Sequence, residues 1–137
     1  MRIAVCDDNI QDIERIKRYT VSMIDYAVDY EFFKKPEELL KTNLKSEQKP
    51  DMYILDIEMP VINGLEVGKR LKEIHKGLVL IYITGYSKYV IDTLKAKADY
   101  VVMKPYQSED IEEALDRARL LTMRQKPNVQ IRMFGRF

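Results

Sequence analysis

Met52-Tyr53-Ile54-Leu55-Asp56 is an apolar run that ends on a carboxylate, and the same arrangement recurs three more times along the chain. Ile3-Ala4-Val5-Cys6 leads into Asp7-Asp8, Leu78 to Ile83 into Thr84, and Tyr100 to Met103 into Lys104-Pro105. Short continuous apolar runs suit strands covered on both faces. In an open parallel sheet the carboxyl ends of the strands share one edge, and ligands bind in the crevice outside it. Three carboxylates, a hydroxyl and an ammonium would then meet in one pocket although the sequence scatters them.

Helical patterns lie between the runs. The first strand is expected over Arg2 to Cys6, and Asn9 can cap a helix whose apolar stripe is Ile13, Ile16, Thr20 and Met23. Tyr30 to Phe33 reads as a second strand, Pro36 as the first turn of a short helix ending near Lys41, and Thr42 to Pro50 as a polar loop. Val67, Leu71 and Ile74 line a third helix with Gly77 as its stop, and a fourth helix is expected from Lys88 to Lys97. Ser108 is expected to cap the last helix, with Ile111, Leu115, Ala118 and Leu121 facing inward. Strand–helix alternation with short links predicts a doubly wound α/β fold of βα units.

A chain of 137 residues can form one domain with a real core. Its 23 basic and 22 acidic residues lack the basic excess of an electrostatic nucleic-acid binder. No apolar stretch approaches the roughly 20 residues that span a bilayer, and the N-terminus has no signal-peptide pattern, so a soluble cytoplasmic protein is expected. Cys6 is the single cysteine and lies within the first apolar run, which predicts a buried structural thiol.

Asp7-Asp8 alone would read as a solvated turn or a helix cap. Asp56, also directly after a strand, changes that reading. Three gathered carboxylates repel one another, which raises a pKa or expels a side chain, and a divalent cation resolves the conflict. Hard oxygen ligands without a His or thiolate cluster suit Mg²⁺. The lone His75 reads as solvent-facing rather than as a ligand. Thr84 and Lys104 add a hydroxyl donor and a mobile ammonium, both suited to a phosphoryl group, and Gly85 leaves its backbone N–H open to approach. Taken singly, Thr84 could simply finish a strand and Lys104 could be a solvated charge.

Together these residues resemble the receiver domain of two-component response regulators, over Met1 to Met123. The most specific piece is Asp56-Ile57-Glu58-Met59-Pro60-Val61-Ile62-Asn63-Gly64, which fits the family's D-x-x-M-P-x-x-x-G pattern. Asp7-Asp8, Thr84-Gly85 and Lys104-Pro105 fit its other signatures. The resemblance implies a (βα)5 flavodoxin-like fold with a five-stranded parallel sheet in the order 2-1-3-4-5. It implies that Asp56 is the nucleophile and phospho-acceptor for a sensor histidine kinase. Asp8 would bind Mg²⁺ directly and Asp7 mainly through water, with the Glu58 backbone carbonyl as a further ligand. Lys104 would pair with the phosphate, Thr84 would move toward it, and a cis bond would precede Pro105. Such a domain assists its own phosphorylation and dephosphorylation and is not an enzyme in the metabolic sense.

Glu58 and Tyr86, two residues after Asp56 and Thr84, are expected to flank the path of attacking water and to modulate the lifetime of the phosphorylated state. The pattern departs at Val101. The family's switch aromatic stands three residues before the lysine, and here Tyr100 lies one residue earlier. A one-residue shift turns a side chain to the opposite face, so the ring points elsewhere unless a bulge restores it.

Family analogy places the output surface on the fourth helix, fifth strand and fifth helix. Lys95, Lys97, Glu112, Glu113, Asp116, Arg117 and Arg119 mix charges there, which suits either a homodimer or a solvated face. The expected domain plan is a receiver over 1–124, a linker over 125–128, and over 129–137 an extra strand or the start of a truncated winged-helix activator domain. The output would be transcription, with DNA contacted only through that effector domain and no membrane partner. Two other readings compete. One is a phosphorylation-independent receiver-like interaction module. The other is a Mg²⁺-dependent phosphatase of the haloacid dehalogenase type, whose D-x-D motif Cys6-Asp7-Asp8-Asn9 does not supply.

Overall fold

The computed structural model describes residues 1–21, 28–45 and 49–124. Five strands, β1 (Arg2–Cys6), β2 (Asp29–Phe33), β3 (Met52–Asp56), β4 (Val79–Thr84) and β5 (Tyr100–Met103), form one sheet in the order β2-β1-β3-β4-β5. Every pairing is parallel. The chain alternates strand and helix through α1 (Ile10–Val21), α2 (Pro36–Lys45), α3 (Gly64–Ile74), α4 (Val90–Lys95) and α5 (Ser108–Arg124).

The apolar runs of β1, β3 and β4 are continuous because these strands feed two cores. Ile3, Val5, Met52, Ile54, Val79, Ile81 and Ile83 point to one side, where Ile16 of α1 and Ile111, Leu115 and Ala118 of α5 meet them. Ala4, Cys6, Tyr53, Leu55, Leu80 and Tyr82 point to the other, against Leu39 and Leu40 of α2 and Val67 and Leu71 of α3. This two-sided burial aligns the strand ends along one edge.

β1 and β5 have the bounds expected from sequence, and Asn9 caps α1, its Oδ1 accepting from the Gln11 and Asp12 N–H groups at 2.8 and 3.3 Å. Met23, expected in the α1 stripe, and the expected linker and effector strand beyond position 124 lie outside the described residues.

Other expectations need correction. α2 continues to Lys45 rather than stopping near Lys41. Asn43 is buried: its Nδ2 donates to the Leu39 carbonyl at 2.8 Å, and its Oδ1 accepts from the buried Tyr53 hydroxyl at 3.1 Å. A polar side chain satisfied inside the core leaves no helical signal in the sequence. α3 ends at Ile74, three residues before Gly77, and the His75 N–H closes on the Leu71 carbonyl. Ile74 is exposed, and His75 is half-buried with its Nδ1 enclosed. A 3₁₀ turn, Ser87–Tyr89, replaces the start of the fourth helix, and Lys97 in the left-handed region (φ 58°) follows its end. The residue capping α5 is Gln107 rather than Ser108. Its carbonyl accepts from Asp110 N–H, and its own N–H donates to Asp110 Oδ2 at 2.8 Å.

Candidate functional site

Each polar residue singled out from the sequence lies at the carboxyl end of its strand. Asp7 follows β1, Asp56 and Thr84 close β3 and β4, and Lys104 follows β5. Three backbone bonds hold these ends in line: Asp7 N–H to the Phe33 carbonyl (3.1 Å), Ile57 N–H to the Ile83 carbonyl (2.9 Å), and Lys104 N–H to the Thr84 carbonyl (2.8 Å).

The loop after Asp56 folds back on itself. Met59 N–H and Gly64 N–H both donate to the Ile57 carbonyl, each at 3.0 Å. This brings the Gly64 backbone against Asp56, and a Cβ at Gly64 would overlap the Asp56 carbonyl oxygen. The glycine that ends the D-x-x-M-P-x-x-x-G run is therefore a packing requirement of the acceptor strand. Asn63 then caps α3 by accepting from Glu66 N–H at 3.0 Å. Val61, at the tip of this loop, is exposed and sits at φ 73°, a strained conformation for a β-branched residue.

Asp7, Asp8 and Asp56 each offer a carboxylate oxygen within 4.8 Å of the others. Asp7 and Asp56 are buried, 1% and 2% exposed, whereas Asp8 faces solvent. Lys104 Nζ lies 3.2 Å from Asp56 Oδ1 and 3.8 Å from Asp7 Oδ2. Both are close charge contacts, and among the described residues neither buried oxygen has a well-angled hydrogen-bond partner. Two buried acceptor atoms aimed into an all-oxygen cluster fit a hard divalent cation such as Mg²⁺.

Burial pushes the Asp56 carboxyl well above its ordinary range, the Asp7 charge adds to that shift, and Lys104 opposes it. Asp7 is raised by burial too, against the pull of the Asn9 N–H and of Lys104. Burial works against the Lys104 charge, yet Asp7, Asp56 and Asp12 together raise its pKa, so it stays an ammonium. Burial pushes the Cys6 thiol up to about 12, with Asp7 adding to the shift, and its Sγ rests 3.6 Å from Met59 Sδ. It is a packed thiol.

Thr84 is fully buried and already engaged. Its hydroxyl donates to Glu58 Oε1 at 2.5 Å, and its oxygen accepts from Tyr86 N–H at 3.0 Å. The same Glu58 oxygen accepts from Gly85 N–H at 3.1 Å. Burial opposes the Glu58 charge, but these hydrogen bonds prevail and hold its pKa below the usual value. Tyr86 is exposed at the rim, with its ring edge-on to Tyr89 and Lys88 over both rings.

The β4–β5 register runs without a bulge and pairs Tyr100 with Ile81 and Val101 with Tyr82. Tyr100 therefore packs on the α5 side, where Arg117 lies 5.7 Å from its ring centre, and Val101 sits on the Tyr82 side. The Lys104–Pro105 peptide bond is cis.

Sequence reasoning missed Asp12 and Arg15. Asp12, in the first turn of α1, accepts from Lys104 Nζ at 3.1 Å and from Arg15 at 3.2 Å. Its only sequence signal was an acid three residues after the Asn9 cap, a position that normally serves the helix dipole.

The family model described as "Response regulator receiver domain" matches residues 3–116. The chain is 32% identical over 118 residues to the positive alginate biosynthesis regulatory protein of Pseudomonas aeruginosa, covering 86% of this chain and 47% of that protein. It is 30% identical over 129 residues to the response regulator MprA of Mycobacterium avium, covering 93% of this chain and 53% of that one. The chain thus spans about half the length of these curated relatives. Among solved structures it resembles the response regulator protein TrrA of Thermotoga maritima in complex with Mg(2+)-BeF, at 31% identity and a TM-score of 0.74, over 85% of this chain and 97% of that one.

Proposed function

The chain belongs to the family of response regulator receiver domains, and from that premise we propose that Asp56 accepts a phosphoryl group from the phosphohistidine of a sensor kinase. The observation that carries this reading is the buried Asp56 carboxylate at the sheet edge, with Asp7 and Asp8 oxygens within 4.8 Å and Lys104 Nζ 3.2 Å from its Oδ1.

The Asp56 oxygen would form a bond to phosphorus as the bond from phosphorus to the donor imidazole nitrogen breaks, the electron pair leaving with that nitrogen. Positioning and charge neutralisation dominate such transfers. Mg²⁺, held by Asp7, Asp8 and Asp56 with the Glu58 carbonyl as a further ligand, would supply Lewis-acid neutralisation of the phosphoryl oxygens. Lys104 would pair with one of those oxygens. Thr84 would exchange its Glu58 partner for another, coupling the acceptor to the β4–α4 loop. Glu58 and Tyr86 would govern the access of hydrolytic water, and Val101 within β5 and Pro105 directly after Lys104 would help position that lysine.

Two relatives are named as a biosynthesis regulatory protein and a transcriptional regulatory protein, which supports a transcriptional output for the intact protein. Segment 129–137 would begin its effector part, with DNA contacted there and the face of α4, β5 and α5 available to a second receiver.

The test is incubation with Mg²⁺ and acetyl phosphate followed by intact mass. Wild type should gain one phosphate and Asp56→Asn none; equal labelling of both would refute the assignment.

A further inference from the structure

We infer that Asp12, held by Arg15, acts as a built-in competitor for Lys104 and so sets how readily the site accepts a phosphoryl group. The inference rests on the phospho-acceptor reading of Asp56 and adds two positioning residues to that site.

One cation serves three acids here. Lys104 Nζ contacts Asp12 Oδ2 at 3.1 Å, Asp56 Oδ1 at 3.2 Å and Asp7 Oδ2 at 3.8 Å. Of these, the contact to Asp12 has hydrogen-bond geometry. Asp12 lies outside the trio that can hold a divalent cation, so its contact with Lys104 does not occupy a candidate metal ligand. It is also well fixed: its side chain is 13% exposed, and its second oxygen accepts from Arg15 at 3.2 Å. Arg15 in turn reaches over the Tyr106 ring, two residues beyond Lys104, with 6.0 Å to its centre.

A phosphoryl group arriving at Asp56 needs the same ammonium. It must draw Lys104 away from Asp12 or share it. Arg15 weakens that competitor by neutralising part of its charge. The two residues therefore act with opposite signs: removing the Asp12 charge favours phosphoryl binding, and removing the Arg15 charge disfavours it. A purely structural role would make both substitutions harmful in the same direction.

The test uses beryllium fluoride as the phosphoryl mimic, at saturating Mg²⁺, with binding followed by the amide spectrum of the Thr84–Gly85 region. Asp12→Asn should lower the half-saturating concentration by roughly fivefold, and Arg15→Gln should raise it by a similar factor, the size expected of a partly screened ion pair. Arg15→Lys, which keeps the charge, should restore the wild-type value. In the double variant Asp12→Asn/Arg15→Gln the Arg15 effect should vanish. Shifts in the same direction, no shift, or a full Arg15 effect without Asp12 would overturn the inference. Wild type is tested alongside with acetyl phosphate. Phosphorylation on Asp56 without opposed shifts sinks the competitor alone, whereas no phosphorylation of wild type sinks the phospho-acceptor reading and the competitor with it.

Discussion

Asp56→Asn should make the metal-free protein more stable, because the pocket holds more negative charge than Lys104 offsets. The Asp7 and Asp56 oxygens lie within 4.8 Å of each other, where two unit charges repel by roughly 3.5 kcal/mol at an effective dielectric constant of about 20. Lys104 at 3.2 Å returns about 5 kcal/mol on the same scale. Burying the carboxylate adds a penalty of several kcal/mol. The balance opposes the Asp56 charge by about 2 kcal/mol, which corresponds to a rise in Tm of about 6–10 °C for a domain of this size. The pH dependence has a definite sign. Asp56 and Asp7 have folded-state pKa values raised above their unfolded values. Their contribution to stability is fully present below the unfolded carboxyl pKa of about 4 and is lost as pH rises through the folded values. The advantage of the variant should accordingly grow from acid toward about pH 8. Thermal melts in EDTA across that range would measure it. Added Mg²⁺ should then raise the Tm of wild type more than that of the variant, because a ligand stabilises the state that binds it. An Asp56→Asn protein no more stable than wild type in EDTA at about pH 8 would refute the charge accounting.

Glu58→Ala removes the acceptor that holds the Thr84 hydroxyl and Gly85 N–H. It should change the decay rate of the phosphorylated protein several-fold while shifting Tm little, and an unchanged decay rate would rule out a role for that carboxylate. Gly64→Ala drives a methyl into the Asp56 carbonyl and should cost about 3 kcal/mol or more in denaturant melts. Tyr100→Ala should lose about 1–2 kcal/mol of packing against the α5 side. Its rate of phosphorylation by acetyl phosphate should stay near that of wild type, and a large fall would show that the ring reaches the acceptor after all.

The strands were legible because parallel strands buried on both faces leave unbroken apolar runs, and the polar residue after each run marks the strand end. That one rule brought Asp7, Asp8, Asp56, Thr84 and Lys104 to a common edge without any knowledge of the helices. Helix ends were less legible, for reasons particular to single residues. Asn43 is polar yet buried, because Tyr53 and the Leu39 carbonyl satisfy it, and no local pattern reveals a partner ten positions away. Gly77 looked like a stop, but the His75 N–H had already closed the helix. Asp12 was hidden in a stronger way. Its partner Lys104 lies 92 positions along the chain, and its place in a first helical turn supplied a sufficient local explanation. Strand parity did settle the direction of Tyr100: with no bulge in β5, the one-residue offset from Val101 sends the ring to the opposite side of the sheet.

The close seating of Gly64 on the Asp56 backbone has a mechanical consequence. With no side chain between them, the acceptor strand and the first turn of α3 behave as a single strut, so a tilt of the Asp56 carbonyl cannot occur without disturbing Gly64. The Gly64 amide, anchored on the Ile57 carbonyl at 3.0 Å, is therefore the place where a label-free resonance shift is expected when the Asp56 backbone moves.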